Sequence, residues 1–304
     1  MLSTPLCFGL TLSNQPAIAQ GVRNLTPPPL GKNTENSFPG LIKTGSAAVR
    51  KIITPDTLEL DNGRIIKLAG LYFPDETPQE TGPYALLAIK VLKDMLTGKT
   101  VEIYQTPKKD WGRENRMGHQ IAHLLRVNKN KTTDAEKPLW VQGTLLELGL
   151  AIAETTQRNP QMATQMYQRE EKAKDEKIGL WENPLILSPE DAQKHIGSFQ
   201  IVQGRIESVS LNKNILYINF GKNWRDDFTV SLGPALQRQL GERGLNPLQW
   251  GGESIRVRGW LEEYNGPHIK LDNIEAIEFL DKNGKPASTA LPEGQNAPMF
   301  KHIQ

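Results

Sequence analysis

Three groups of side chains in this 304-residue chain carry chemistry beyond packing. The first is spread over Ala47–Asp75, where Asp56, Lys67, Tyr72 and Asp75 stand among apolar residues. The second is the polar loop KKDWGRENRMGH, residues 108–119, with Arg113, Arg116 and His119. The third interleaves rings with arginines: Tyr217, Phe220, Trp224 and Arg225, then Arg256, Arg258 and Trp260. Rings that stack on bases, beside cations that track a phosphate backbone, are how single nucleic-acid strands are gripped. Each group also has a structural reading. Asp56 can accept backbone N–H groups of its own turn, Lys67 can be a solvated barrel residue, Asp75 can open a loop, and the rings can be core. His119 and His123 are four apart, which along a strand is roughly 13 Å and too far to share an ion. No zinc-ligand spacing is present.

Composition narrows the classes. Hydrophobic content of 38% and charged content of 23% fit a globular chain rather than a disordered one. A net charge of +2 excludes a polycation, so nucleic-acid binding would need a local basic cleft. From 196 to 280 there are nine Lys/Arg against ten Asp/Glu, which weighs against strand binding by that part of the chain. Cys7 is the one cysteine, so no intrachain disulfide can form. No run reaches the roughly 18 apolar residues of a membrane span. Residues 1–19 end in Ala17-Ile18-Ala19, a small-x-small pattern that reads as the remnant of a signal peptide. The expectation is an exported protein, periplasmic or secreted; without a signal it would be cytoplasmic. Residues 20–44, with Pro27-Pro28-Pro29, read as a linker.

The elements that must position these groups follow from periodicity. Val49 and Ile52, then Leu58 and Leu60, then Ile65, Ile66, Leu68 and Leu71 predict three strands, with a hairpin at Asn62-Gly63. Apolar residues at helical spacing predict a helix over Gly82–Leu96. Strands follow at 100–104 and 120–126, and helices at Leu139–Leu148 and Ala163–Ile178. Three strands, a helix and two strands make a five-stranded Greek-key barrel of the OB type. After a connector at 183–197, the order recurs: strands at 199–210, 215–220 and 228–232, a helix at 234–241, strands at 254–264 and 268–271. The predicted fold is therefore mainly β with α, an OB barrel over 45–182 followed by a second small OB-like barrel over 198–280. Residues 281–304 read as a polar tail.

Five strings in order give the first half a resemblance to the staphylococcal-nuclease-like (thermonuclease) domains. Ile52-Ile53-Thr54-Pro55-Asp56-Thr57-Leu58 is similar to the family's V-x-D-G-D-T-L. Lys67-Leu68-Ala69-Gly70-Leu71-Tyr72-Phe73-Pro74-Asp75 resembles R-L-x-G-I-D-x-P-E. Asn115–Ala122 resembles D-R-Y-G-R-x-L-A. Trp140-Val141-Gln142 with Leu145–Ala151 resembles W-V-x…L-L-x-x-G-L-A. Glu171-Lys172-Ala173 and Gly179-Leu180-Trp181 resemble E-x-x-A-x…G-L-W. The resemblance implies cleavage of phosphodiester bonds in DNA or RNA beside calcium. Acidic oxygens and a main-chain carbonyl hold the ion, arginines hold the phosphate, and a glutamate orients the attacking water.

Carried over residue by residue, the resemblance implies Asp56, Tyr72 and the carbonyl of Phe73 as metal ligands. It implies Lys67 and His119 at the arginine positions, with Arg113 or Arg116 able to supply a guanidinium, and Asp75 as the base. Most of these depart from the pattern. Tyr72 has no carboxylate, and Lys67 cannot bind phosphate bidentately. Asp75 is one methylene short, about 1.5 Å, and an imidazole is not a permanent cation. The calcium site is incomplete, so the expectation is a degenerate relative with weak or no nuclease activity. If active, it would be a calcium-dependent endonuclease. The alternative is a non-catalytic nucleic-acid- or protein-binding module of the cell envelope. The second half resembles the C-terminal extension of some bacterial thermonuclease-like proteins. There Trp224, Arg225, Arg256 and Arg258 are the candidates for binding a single strand, with glycan binding as the other ligand class and core packing as the structural reading.

Overall fold

In the computed structural model, residues 38–127, 138–223 and 226–287 are described. The first half runs β1 (Ile42–Thr54), β2 (Thr57–Leu60), β3 (Ile65–Leu68), β4 (Leu71–Tyr72), α1 (Pro83–Leu96), β5 (Thr100–Gln105), β6 (Gln120–Val127), β7 (Leu139–Trp140), α2 (Val141–Glu147), β8 (Ile152–Ala153) and α3 (Ala163–Glu176). β1 is long because it serves two neighbours. Its first part pairs with β5 and its second with β2, and register shifts along it bend the strand between them. Asn62-Gly63 turns β2 into β3, with Gly63 at φ +81°, where a side chain would be strained. The strand order is β3-β2-β1-β5-β6-β7, and β3 also pairs in parallel with β6, Ile66 to Gln120 through Leu68 to Ala122. That last pairing closes five strands on themselves in the OB arrangement. Leu58, Leu60, Ile66, Leu68 and Ile103 fill the interior, and Leu92 and Leu96 of α1 plug it.

The second half runs β9 (Ile186–Leu187), β10 (Phe199–Arg205), β11 (Ser208–Asn212), β12 (Ile215–Asn219), β13 (Thr229–Leu232), α4 (Pro234–Glu242), β14 (Ser254–Glu263), β15 (Pro267–Leu271) and β16 (Ile277–Phe279). Its order is β11-β12-β13-β15-β14-β10-β9, with β16 on β14. β13 and β15 are parallel and the pairs on either side antiparallel, the same pattern as in the first sheet. Phe228, Val230, Ile269, Ile255 and Trp250 make the core.

Several boundaries differ from the sequence reading. Linker character ends earlier than residue 44: Phe38 is buried and stacks on Tyr104 at 4.2 Å, and β1 begins at Ile42. The helix expected from Leu139 starts at Val141, because Leu139 and Trp140 pair with β6. The connector is not free chain, since Ile186 and Leu187 add a parallel strand to β10. Residues 281–287 fold back, with the Ala287 N–H on the Phe279 carbonyl at 2.8 Å and Lys285 paired to Asp175 at 2.7 Å. The signal-peptide reading, most of the linker and the last part of the tail lie outside the described residues. Among the described residues no helix is long and apolar enough to cross a membrane.

Candidate functional site where the two halves meet

Asp56 sits in the tight turn between β1 and β2. One carboxylate oxygen accepts the hydroxyls of Thr54 (2.8 Å) and Thr57 (2.7 Å). The other pairs with Lys67 Nζ, which the β2–β3 register, Thr57 opposite Lys67, brings alongside. Burial pushes the Asp56 carboxyl up. The Lys67 ammonium and the two hydroxyls more than offset this, so it is held below the usual carboxylate range. The carboxylate is therefore ionised and engaged on both oxygens.

Tyr72, at the position of the second acidic ligand, lies in β4, whose pairing with β8 sets Tyr72 opposite Ile152. Its ring packs on the second half, 4.8 Å from Phe199 and 6.1 Å from Trp260. Burial, then the nearby Glu154, push its phenol up, so it stays neutral. Phe73 is buried in the core, and its carbonyl accepts the Glu76 N–H at 3.1 Å.

Glu154 is the residue the sequence reading missed. It directly follows β8, its N–H bonds the Gly70 carbonyl at 2.8 Å, and its carboxyl lies within electrostatic reach of Lys67, Asp56, Trp260 and Asp272. Burial pushes its carboxyl up to about 7, against the pull of the Trp260 indole and the Lys67 ammonium. An acidic residue ending the apolar run Leu150–Ala153 was the available signal. Calcium takes six to eight oxygen ligands. Here one carboxylate is already bound to an ammonium and the second position is a docked phenol. Among the described residues no group of three His, Cys, Asp or Glu could hold an ion. The residues present do not fit calcium.

The remaining site residues have other partners. Asp75 Oδ2 accepts the N–H groups of Tyr84 (2.7 Å) and Ala85 (3.1 Å). It thus caps α1 from outside the helix, whose own N-cap residue, Gly82, has no side chain to do so. A Cβ at Gly82 would lie 2.6 Å from that of Asp75, so the cap needs glycine there. Arg113 donates to the carbonyls of Thr106 (2.8 Å) and Pro107 (2.9 Å), which pins its own loop. His119 is half-buried just before β6, its N–H on Asn115 Oδ1 at 3.0 Å, and Arg116 is exposed. The fold brings Asp56 and Lys67 together but gives Asp75 and Arg113 structural work.

Residues 65–183 match the family model described as staphylococcal nuclease homologue. That span of the chain is similar to a staphylococcal-nuclease-like domain. The matched span starts at β3, so it leaves out Asp56 and β2, and takes in Lys67, Tyr72, Phe73, Asp75 and α3. No curated protein matches the chain.

The nuclease-like domain is bound to the second half through buried charge. Arg258 Nη1 donates to Glu170 of α3 at 3.0 and 3.1 Å and to the Ala153 carbonyl at 3.0 Å. Its Nη2 donates to Glu278 at 2.6 Å, and the guanidinium lies 4.1 Å over the Tyr167 ring. Arg256 binds Gln203 at 3.1 and 3.2 Å and reaches Glu171 at 3.4 Å. This corrects the reading of Arg256 and Arg258 as strand-binding residues. Both are buried at 3% exposure, with their guanidinium groups committed to the junction. Trp224 and Arg225 lie outside the described residues.

Proposed function

We propose that this is a thermonuclease-like protein that has lost efficient metal-dependent cleavage and works as a non-catalytic nucleic-acid-binding module. The observation that carries this reading is the junction itself. The Asp56 carboxylate is engaged by Lys67, and Tyr72 is docked against Phe199 and Trp260 in place of a second metal carboxylate. Losing one preorganised transition-state donor costs roughly 10²–10³ in rate, and here the ion, a guanidinium and the base are all altered.

Binding is supported by the loop beyond β5. Lys108, Lys109 and Arg116 are exposed there, and Trp111, 42% exposed, lies beneath the Arg158 guanidinium at 4.5 Å. A ring with cations around it is a stacking platform for a single strand. The repeated strand order supports reading the second half as another OB-type barrel, and the small-x-small ending at 17–19 supports export. The test is gel-shift titration with single-stranded DNA and RNA. Binding without cleavage, weakening as salt rises and lost in K108A/K109A/R116A, supports the reading. Absence of binding at low salt refutes it and favours a protein-binding role.

A further inference from the structure

The outer face of the second sheet carries a polar surface that its core does not require. Along β12, β13 and β15, Leu216, Ile218, Val230, Leu232, Ile269 and Leu271 point inward. Their alternates face out. The register aligns these into cross-strand rows: Ser208 opposite Asn219 and Asn219 opposite Thr229, then Ser210 opposite Tyr217 and Tyr217 opposite Ser231. All of these but Ser231 line a cleft of about 420 Å³, bordered by Tyr264 and Asn265 of the β14–β15 turn. That volume lies in the usual small-ligand range of about 300–1,000 Å³.

The lining is chemically uniform. Among the described residues it consists of hydroxyl and amide side chains, two tyrosine rings, the one cation Lys222, and no carboxylate. The floor is held in place: Asn219 Nδ2 donates to Ser208 Oγ at 3.3 Å, and Thr229 Oγ1 donates to Asn219 Oδ1 at 3.3 Å. Asn219 and Thr229 are themselves buried. Fixed neutral donors and acceptors suit a ligand rich in hydroxyls, and a tyrosine offers an apolar face with a polar tip. A phosphodiester strand needs several cations, and among the described residues this lining offers one. Residues 196–280 carry nine Lys/Arg against ten Asp/Glu, and two of those arginines are buried at the junction.

We propose that this cleft binds a neutral glycan chain. Ser208, Asn219 and Thr229 hydrogen-bond its hydroxyls, and a sugar ring lies on Tyr217 or Tyr264. This site is separate from the nuclease-like one and does not depend on its activity. The test is calorimetric titration of the full chain with neutral soluble oligosaccharides built from glucose, mannose and N-acetylglucosamine, with oligo(dT) run in parallel. The expected result is binding to at least one neutral oligosaccharide, unchanged between about 50 and 200 mM salt. Y264A, at a residue 56% exposed and so not needed for folding, is expected to weaken it about tenfold, the loss of roughly one good contact. N219A is expected to do the same, with thermal melting checked for both. No binding across the panel overturns the proposal. So does binding that Y264A and N219A leave intact, or salt-sensitive oligo(dT) binding that these variants abolish.

Discussion

Truncating Arg258 to alanine should destabilise the protein by about 3–5 kcal/mol, because it strands buried carboxylates rather than merely removing a contact. The side chains of Arg258, Glu170 and Glu278 are 2%, 5% and 7% exposed. Without Arg258, Glu170 keeps only the Ala153 N–H at 2.7 Å, and Glu278 keeps Arg256 at 3.9 Å. Burial already pushes the Glu170 carboxyl up, and Arg258 is the main pull in the other direction. In the variant the folded-state value rises further above the unfolded one, so the folded protein holds an extra proton. Stability is then greatest at low pH and is lost as pH rises through the folded value. The deficit should be larger at pH 7 than at pH 5. Urea denaturation followed by tryptophan fluorescence at both pH values measures it, and the melting temperature should fall by roughly 10 °C. Replacing Arg258, Glu170 and Glu278 together by methionine should recover part of the loss, since an apolar triad leaves no charge to compensate but strands the Ala153 N–H and carbonyl that Glu170 and Arg258 hold. A cost below about 1 kcal/mol for R258A, or a triple variant no better than the single, would refute the account of this junction.

Glu154, whose carboxyl is pushed from 4.5 up to about 7, makes wild-type stability fall as pH rises between those values. E154Q should flatten that slope, worth at most about 3 kcal/mol, in denaturation midpoints taken across the range. D75A should cost about 1–2 kcal/mol through loss of the α1 cap, with faster amide exchange at Tyr84 and Ala85. Y72A should cost about 2 kcal/mol through the lost contacts with Phe199 and Trp260 and should speed proteolysis between the two halves; unchanged proteolysis would argue against docking through this ring.

The barrel was legible in the sequence because local rules specify it. Asn62-Gly63 supplies the positive φ its hairpin needs, and the alternation Leu58, Leu60, Ile66, Leu68 specifies one buried face. The roles of charged residues were not legible, because their partners are distant in sequence. In Ile255-Arg256-Val257-Arg258 the alternation correctly sends the arginines away from the core of their own sheet. What it cannot show is that α3, more than eighty residues earlier, covers that face with Glu170 and Glu171. Asp75 was read against its family position, while the N–H groups it caps lie nine and ten residues ahead. Tyr72 read as a missing carboxylate, and its second identity as a docking ring needed the position of Phe199.

The central claim is that the Asp56–Lys67–Tyr72 constellation no longer supports calcium-dependent cleavage. The direct measurement is the rate at which purified protein cuts single-stranded DNA in calcium, with and without chelator, beside D56A. The account predicts no chelator-sensitive cleavage and no difference between wild type and D56A. Cleavage that calcium switches on, and that both chelator and D56A abolish, would contradict it.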